Sequence, residues 1–125
     1  MKIYALDHVQ IAMPPGEEDR ARAFYEGVLG LCEVPKPTGL AGRGGVWFVL
    51  GTIKLHLGVE ADFHPARKAH PAFLVEALGI LLDKARAAGC EVDTSQPPLE
   101  GYRRAHIFDP FGNRIELMEK QSSGV

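Results

Sequence analysis

The sequence predicts an α+β fold made of two paired βαβββ modules, about residues 1–60 and 70–120, in one domain of 125 residues. The first observation behind this is a repeated order: in each half a strand pattern precedes a helix pattern and three further strand patterns. The second is that each half ends in a hairpin pattern. The third is length, because modules of about 60 residues bury too little apolar surface alone and are expected to pack together.

The first module is predicted from periodicity and turn residues. Its strands are expected at residues 6–12, 31–34, 46–50 and 53–57, the last two closed by a tight turn at residues 51–52. Its helix has apolar residues at the i, i+3, i+4, i+7 and i+8 spacing of one face: Ala21, Phe24, Tyr25, Val28 and Leu29. Gly30 follows the helix, where a left-handed C-terminal cap favours glycine.

The second module repeats the order of the first. Its strands are expected at residues 72–75, 90–92, 104–108 and 114–118, with the final hairpin turning at residues 109–113. Its helix stripe is Leu78, Leu81, Leu82 and Ala85, and Gly89 occupies the cap position. Asp109 and Asn113 are expected to form the turn rather than to catalyse.

Composition excludes several classes of protein. The chain is 46% hydrophobic and 24% charged, which is typical of a globular protein, and its net charge of −2 gives no field that would recruit nucleic acid or an anionic membrane. No apolar run approaches the ~20 residues that span a bilayer. The first residues lack the apolar block of a signal peptide, so we expect a cytoplasmic protein. Cys32 and Cys90 form no CxxC motif and are expected to be small core residues.

Four polar residues occupy matching positions of the two modules. His8 and His70 are assigned to the first strands, His56 and Glu116 to the last strands, and each pair is separated by roughly 60 positions. His56 and Glu116 stand between aliphatic neighbours, so strand alternation sends them to the face opposite those neighbours. That face is either open to water or part of a concavity shared by two facing sheets, in which case all four side chains would meet.

Three imidazoles and one carboxylate would form a divalent metal site, suited to Zn²⁺, Ni²⁺, Mn²⁺, Co²⁺ or Fe²⁺. Two open positions would let a small substrate chelate through adjacent oxygens, and the metal would act as a Lewis acid. A single strand histidine is more often a satisfied or exposed polar residue. The matching offsets in the repeat, rather than any one histidine, therefore predict the site.

The predicted hairpins add candidate substrate-binding and catalytic residues. A three-residue loop at 110–112 sets His106 opposite Glu116 and Arg104 opposite Met118, and cross-strand partners share a face. His106 could then move a proton near the metal, the alternative being a surface imidazole. A two-residue turn at 51–52 sets Trp47 opposite His56, whereas a turn longer or shorter by one residue would substitute Phe48; core packing is the alternative for Trp47.

Three further positions are either contacts for a substrate or solvated residues. Arg43 lies in the Gly-rich segment 38–45, which is expected to be mobile, and could close over an anionic substrate. Tyr102 and Arg103 border the second hairpin. His64 falls in the connection between the modules and is expected to have no chemical role.

Four segments resemble the signature segments of the vicinal-oxygen-chelate superfamily, which contains glyoxalases, extradiol dioxygenases and antibiotic-resistance proteins. They are DHVQI at 7–11, AFYEGVLGL at 23–31, HPAFLV at 70–75 and DPFGNRIEL at 109–117. The resemblance implies paired βαβββ modules whose sheets curl around a metal-binding cup, and a homodimer. It also implies His8, His70 and Glu116 as metal ligands. The position of His56 is Glu, Gln or His in four-ligand members and no ligand in three-ligand members.

The resemblance implies several activities. The first is a metal-dependent lyase or isomerase of the glyoxalase type acting on a small molecule, with His106 or a metal ligand such as Glu116 or His56 transferring the proton. The second is an extradiol-type dioxygenase that uses Fe²⁺ with His8, His70 and Glu116. A thiol transferase acting on an epoxide antibiotic would use the same three ligands, but the basic cup it needs for a phosphonate is not evident. The last is a non-enzymatic protein that sequesters a small molecule such as an antibiotic.

Overall fold

The computed structural model describes residues 1–122 and contains two four-stranded mixed sheets, each with one helix. The chain divides into two compact units, one ending at His64 and one beginning at Pro65. Each unit has the predicted order of strand, helix and three strands, so the predicted α+β class with paired βαβββ modules is confirmed. Among the described residues, no helix has the length and apolar character that crossing a membrane requires.

The first unit has the sheet order β1-β4-β3-β2, with β1 parallel to β4 and the other pairs antiparallel. Its elements are β1 (Val9–Met13), α1 (Glu18–Tyr25), β2 (Cys32–Val34), β3 (Val46–Leu50) and β4 (Ile53–Val59), with a 3-10 turn at Ala41–Arg43. The apolar stripe of α1 packs on the sheet, where the Tyr25 and Phe48 rings lie 5.5 Å apart. Gly30 has the predicted positive φ, 75°.

The second unit repeats this topology with the order β5-β8-β7-β6 and β5 parallel to β8. Its elements are β5 (Ala72–Leu74), α2 (Leu78–Ala87), β6 (Val92–Asp93), β7 (Tyr102–Phe108) and β8 (Arg114–Lys120). Ile107, Ile115 and Leu117 are fully buried in the core of this unit. Gly89 ends α2 with a φ of 82°, as predicted for its cap.

Both hairpin registers are confirmed. Leu50 pairs with Ile53, so residues 51–52 form the two-residue turn that sets Trp47 opposite His56. In the second unit, Asp109 N–H donates to the Asn113 carbonyl at 2.9 Å. His106 consequently lies opposite Glu116, and Arg104 opposite Met118. In a hairpin, the length of the turn fixes which residues pair across the two strands. A slip of one residue would send every side chain of a strand to the opposite face.

Several details of the prediction are wrong. α1 ends at Tyr25, so Val28 and Leu29 of its predicted stripe lie beyond the helix, and β6 is found at Val92–Asp93 rather than at residues 90–92. His8 and His70 lie just before β1 and β5 rather than inside them. For His70 the reason is Pro71, which has no N–H to donate to a ladder hydrogen bond, so regular pairing with β8 begins only at Ala72. Cys32 is exposed rather than in the core because β2 is an edge strand with exposed faces, and Cys90 is half-buried.

Candidate metal centre

Glu116 is the centre of the polar cluster in the second unit. Its neighbours Ile115 and Leu117 are fully buried in the core, so strand alternation turns the carboxylate to the other face. Glu116 Oε1 lies 3.0 Å from His70 Nε2 and 3.6 Å from His106 Nε2, while Oε2 accepts a hydrogen bond from Arg104 Nη1 at 3.3 Å. The carboxylate therefore divides its two oxygens between the imidazoles and the guanidinium.

In its neutral form, the His70 ring turns an unprotonated nitrogen toward this carboxylate. The Nδ1 atom of His70 lies 2.8 Å from the Lys68 carbonyl oxygen, which can only accept a hydrogen bond. Nδ1 must therefore carry the proton, and in the neutral ring Nε2 has a lone pair. A histidine oriented by a backbone carbonyl through one nitrogen is the usual arrangement of a metal ligand.

The contact between His70 and Glu116 fits a bound cation. Without one, a lone pair of neutral His70 would face a carboxylate oxygen at 3.0 Å, and both groups are acceptors. A metal ion between them removes the conflict, as does a proton that makes the ring an imidazolium. Ligand bonds of about 2.0–2.2 Å put neighbouring ligand atoms roughly 3.4 Å apart at the tetrahedral angles of zinc and roughly 3 Å apart at octahedral angles, and the observed separation is close to the octahedral value.

Three side chains in the described part of the chain offer ligand atoms within 4.8 Å of one another: His70, His106 and Glu116. His70 and Glu116 are two of the four residues predicted as ligands, and His106 was predicted to lie beside the metal. Two imidazoles and a carboxylate are a borderline-to-hard donor set, suited to a divalent transition ion.

Electrostatics keep Glu116 in its charged form. Burial raises the pKa of the Glu116 carboxyl, but the contact with the His70 ring and the charge of Arg104 outweigh burial, and the net pKa lies below the ordinary value. Arg104 is itself fixed, because Nε and Nη2 donate to the Pro97 carbonyl oxygen at 3.2 and 2.6 Å. A charged carboxylate is the form that binds a metal.

His106 is almost completely buried, with 1% of its surface exposed. Its ring meets that of His70 edge-on at 5.2 Å, and Arg114 Nη2 lies 3.4 Å from its Nδ1 atom. Burial lowers the pKa of His106, and the charge of Arg114 lowers it further, although Glu116 opposes both effects. The neutral ring is consequently the favoured form near pH 7.

The turn before β8 fixes the segment that carries His70. Asp109 Oδ1 accepts from the backbone N–H groups of Phe111 and Asn113, and Asn113 Nδ2 donates to Asp109 Oδ2 at 2.9 Å. These contacts form the turn, as predicted. Asn113 does more, because its Oδ1 accepts from Ala66 N–H at 3.0 Å and so ties the turn to the chain four residues before His70.

Replacing Asn113 with Ala is expected to lower the free energy of unfolding by about 1–3 kcal/mol, because a buried amide that satisfies other polar groups is lost. Metal affinity should fall as well, since the segment before His70 is released. Urea unfolding and a metal titration measure the two effects. Replacing the exposed amide Gln96 with Ala is the control, expected within about 0.5 kcal/mol of the parent. Equal stability of the two variants would contradict the role given to Asn113.

The first unit contains a second cluster, a stack of three rings. The Trp47 and His56 rings are parallel with centroids 3.7 Å apart, and His8 stacks on His56 at 4.3 Å. The cross-strand pairing of Trp47 with His56 produces the first contact. Phe48, the alternative to Trp47, is fully buried on the core face.

His8 resembles His70 in how its ring is held. The Nδ1 atom of His8 lies 2.9 Å from the Asp7 carboxylate, which leaves the Nε2 lone pair of the neutral ring free to bind a metal. Burial lowers the pKa of His56, and the electrostatic effect of the adjacent His8 ring lowers it further, so His56 favours its neutral form, which can bind a metal. Asp7 was missed by the sequence reasoning, although its position beside His8 was the available signal.

The other residues singled out in the sequence differ in exposure and in their contacts. Arg43 is exposed in the 3-10 turn. The Tyr102 side chain is half-exposed at the start of β7, and its backbone N–H donates to Leu99. Arg104 points at Glu116. His64 is exposed in the connection, 3.7 Å from Asp62.

Comparisons with protein families and with solved structures agree on the family of this chain. The family described as Glyoxalase/Bleomycin resistance protein/Dioxygenase superfamily matches residues 5–117. A crystal structure of a glyoxalase family protein from Bacillus anthracis is 45% identical, with 97% of this chain and 98% of that chain covered and a TM-score of 0.86. No curated protein sequence matches significantly.

Two more distant structures share the fold. The fosfomycin resistance protein FosX from Listeria monocytogenes, crystallised with Mn(II) and sulfate, is 15% identical over 96% of this chain and 93% of that one, with a TM-score of 0.78. A glyoxalase family protein from Enterococcus faecalis is 24% identical over 92% and 97%, with a TM-score of 0.67. At these identities the likeness concerns the fold alone.

Proposed function

Because the chain belongs to the Glyoxalase/Bleomycin resistance protein/Dioxygenase superfamily, we propose that it is a divalent-metal-dependent lyase or isomerase of the glyoxalase type. Its substrate would be a small molecule that chelates the metal through adjacent oxygens. The observation that carries the proposal is the opposition of the His70 Nε2 lone pair and the charged Glu116 carboxylate at 3.0 Å, which favours a cation between them.

The proposed ligands in the second unit are His70 and Glu116, and those in the first unit are His8 and His56. The ring of His8 supports its assignment, because Asp7 holds its Nδ1 just as the Lys68 carbonyl holds that of His70. His56 remains a proposed fourth ligand. The ion would be one of Zn²⁺, Ni²⁺, Mn²⁺, Co²⁺ or Fe²⁺, since all suit imidazole and carboxylate ligands.

Several side chains near the proposed ligands have separate roles. A bound divalent ion would supply Lewis acidity toward the substrate oxygens. Arg104 keeps Glu116 charged and holds the carboxylate in one orientation. His106 is buried beside both proposed ligands and is the proposed group for handling a proton or a substrate oxygen. Trp47 supplies a flat apolar surface beside His56.

A panel of small substrates tests this function. Hemithioacetals, 2-oxo thioesters, catechols and epoxide phosphonates would each be assayed with every one of the five metals. We expect turnover of a hemithioacetal or a 2-oxo compound without consumption of oxygen. Turnover confined to catechols, with Fe²⁺ and oxygen uptake, would instead identify a dioxygenase. Tight binding of a bulky aromatic ligand with no turnover by any metal would identify a sequestering protein.

We also expect the chain to form a homodimer. The N-terminal segment supports this, because Ile3, Tyr4 and Leu6 are 96%, 89% and 77% exposed, which is unusual for large apolar side chains. Each sheet also has short edge strands whose backbone groups need partners. Light scattering at micromolar concentration should give twice the chain mass of 13.6 kDa. A monomer under those conditions would contradict the expectation.

A further inference from the structure

We propose that Arg114 is a positioning residue that fixes His106 in the tautomer with its proton on Nε2, so that His106 acts as a hydrogen-bond donor rather than as a metal ligand or a base. The two histidines beside Glu116 would then have opposite roles. The assignment of the tautomer rests on contacts within the second unit. Only the use of the N–H toward a substrate rests on the proposed function.

The contact between Arg114 and His106 determines which nitrogen is protonated. Arg114 Nη2 lies 3.4 Å from His106 Nδ1. A guanidinium has only donors and does not lose its charge in proteins, so Nδ1 must be the acceptor in this contact. A neutral imidazole has one acceptor and one donor nitrogen, and the proton must therefore be on Nε2.

His70 has the reverse arrangement. Its Nδ1 donates to the Lys68 carbonyl, which puts the lone pair of the neutral ring on Nε2. Both Nε2 atoms point toward Glu116 Oε1, one with a lone pair and the other with a hydrogen. Judged by distance alone, the His70 and His106 rings are equal candidates for metal ligands. Their hydrogen-bond partners distinguish them. His70 is prepared to bind a cation, and His106 is prepared to donate.

The N–H of His106 is not tightly bound by Glu116. Its distance of 3.6 Å from Glu116 Oε1 is longer than a hydrogen bond, so the carboxylate does not satisfy it fully. An oxygen atom bound beside Glu116 would be the natural acceptor. A neutral imidazole held as a donor can stabilise negative charge that develops on a substrate oxygen, as in the neutral histidine of triosephosphate isomerase.

Arg114 is well placed to hold this tautomer. It lies two residues before Glu116 on β8, so alternation gives both side chains the same face, and Nη1 donates to the Arg67 carbonyl oxygen at 3.5 Å. Its Nε atom is buried and has no hydrogen-bond partner. Because the buried Nε donor has no partner, the contacts of the two terminal nitrogens, with His106 and with the Arg67 carbonyl, are those that hold the guanidinium in place.

Nuclear magnetic resonance of the histidine rings tests the proposal. The full chain, freed of metal with a chelator and labelled with ¹⁵N in histidine, would be studied at about pH 8, above the ordinary histidine pKa of ~6.5. Long-range proton–nitrogen spectra distinguish a protonated ring nitrogen from an unprotonated one. The signals of His106 are assigned by their absence from the His106→Gln variant.

We expect His106 of the parent to carry its proton on Nε2 alone. Replacing Arg114 with Met should move part or all of that population to Nδ1 while the His70 signals stay unchanged. The control is Arg103→Met, an exposed arginine of β7, which should leave the His106 tautomer as in the parent. A proton on Nδ1 in the parent, or an unchanged tautomer in Arg114→Met, would overturn the proposal.

The parent spectrum keeps the proposal falsifiable even if Arg114→Met fails to fold. Because every spectrum is recorded without metal, the result is also independent of the proposed function. Absence of metal binding together with the Nε2 tautomer would refute the metal-dependent function and leave the role of Arg114 intact.

Discussion

Replacing Glu116 with Gln is expected to lower the affinity for a divalent ion such as Zn²⁺ by at least about 100-fold, since outer partners of metal ligands already contribute roughly 10–100-fold. The amide keeps the size and shape of the side chain but loses the charge that opposes the His70 lone pair at 3.0 Å. It also removes the ion pair with Arg104. Calorimetric titration of chelator-treated protein measures the change.

The matched control is Glu100→Gln, an exposed carboxylate in the turn before β7. This variant should bind metal as the parent does, and thermal unfolding should show that both variants are folded. His70→Ala should lose affinity to the same degree as Glu116→Gln. If the Glu116 variant, while folded, kept the affinity of the parent, the carboxylate would not be a ligand.

Replacing His106 with Ala should lower turnover of whichever panel substrate is active by about 10²–10³-fold, the usual loss when one preorganised donor is removed from a site. Its metal content should stay equal to that of the parent, because the Nε2 of the neutral ring has a hydrogen rather than a lone pair to offer. Steady-state kinetics with parallel elemental analysis separate the two effects.

His64→Ala supplies the control, since this exposed histidine of the connection has no expected role. A His106→Ala protein with full turnover would refute the role of His106 in the reaction. Loss of metal together with turnover would instead make His106 a ligand, in agreement with its distance from Glu116 but against the tautomer that Arg114 favours.

Much of the fold could be predicted from the sequence because its turns are short and local. The two-residue turn after β3 and the three-residue loop at 110–112 each fix the register of a hairpin. Counting residues back from each turn then predicts that Trp47 pairs with His56 and His106 with Glu116. The helices were equally accessible, because an apolar stripe ends at a glycine in each, Gly30 and Gly89. These features depend on residues close together in the chain.

The features that were missed depend on contacts between distant residues or on individual atoms. The link from Asn113 to Ala66 spans 47 positions and has no sequence pattern. The start of β1 was predicted too early, because hydrogen-bond partners on the neighbouring strand decide where a strand begins, and His8 was consequently assigned to it. His70 was likewise assigned to the opening of β5, which begins at Ala72. The state of each imidazole nitrogen depends on single contacts with Asp7, the Lys68 carbonyl and Arg114.

The sequence predicted which residues belong to the candidate site, but not the role of each. Repeat offsets selected His70 and Glu116, and the structure brings these two together. His106 was found by counting along the hairpin, which gives its face but not its protonation. Arg114 carried a signal that was not used: it lies two residues from Glu116 on the same strand and therefore faces the same way.

Metal binding by the parent protein is the most direct test of the central claim, which is that His70 and Glu116 hold a divalent ion. The chain would be stripped with chelator and titrated calorimetrically with Zn²⁺, Mn²⁺, Ni²⁺, Co²⁺ and Fe²⁺, the last without oxygen. We predict about one ion per chain, bound by at least one of these metals more tightly than about 0.1 mM, a standard binding free energy beyond roughly −5 kcal/mol. Failure of all five to bind that tightly would contradict the claim.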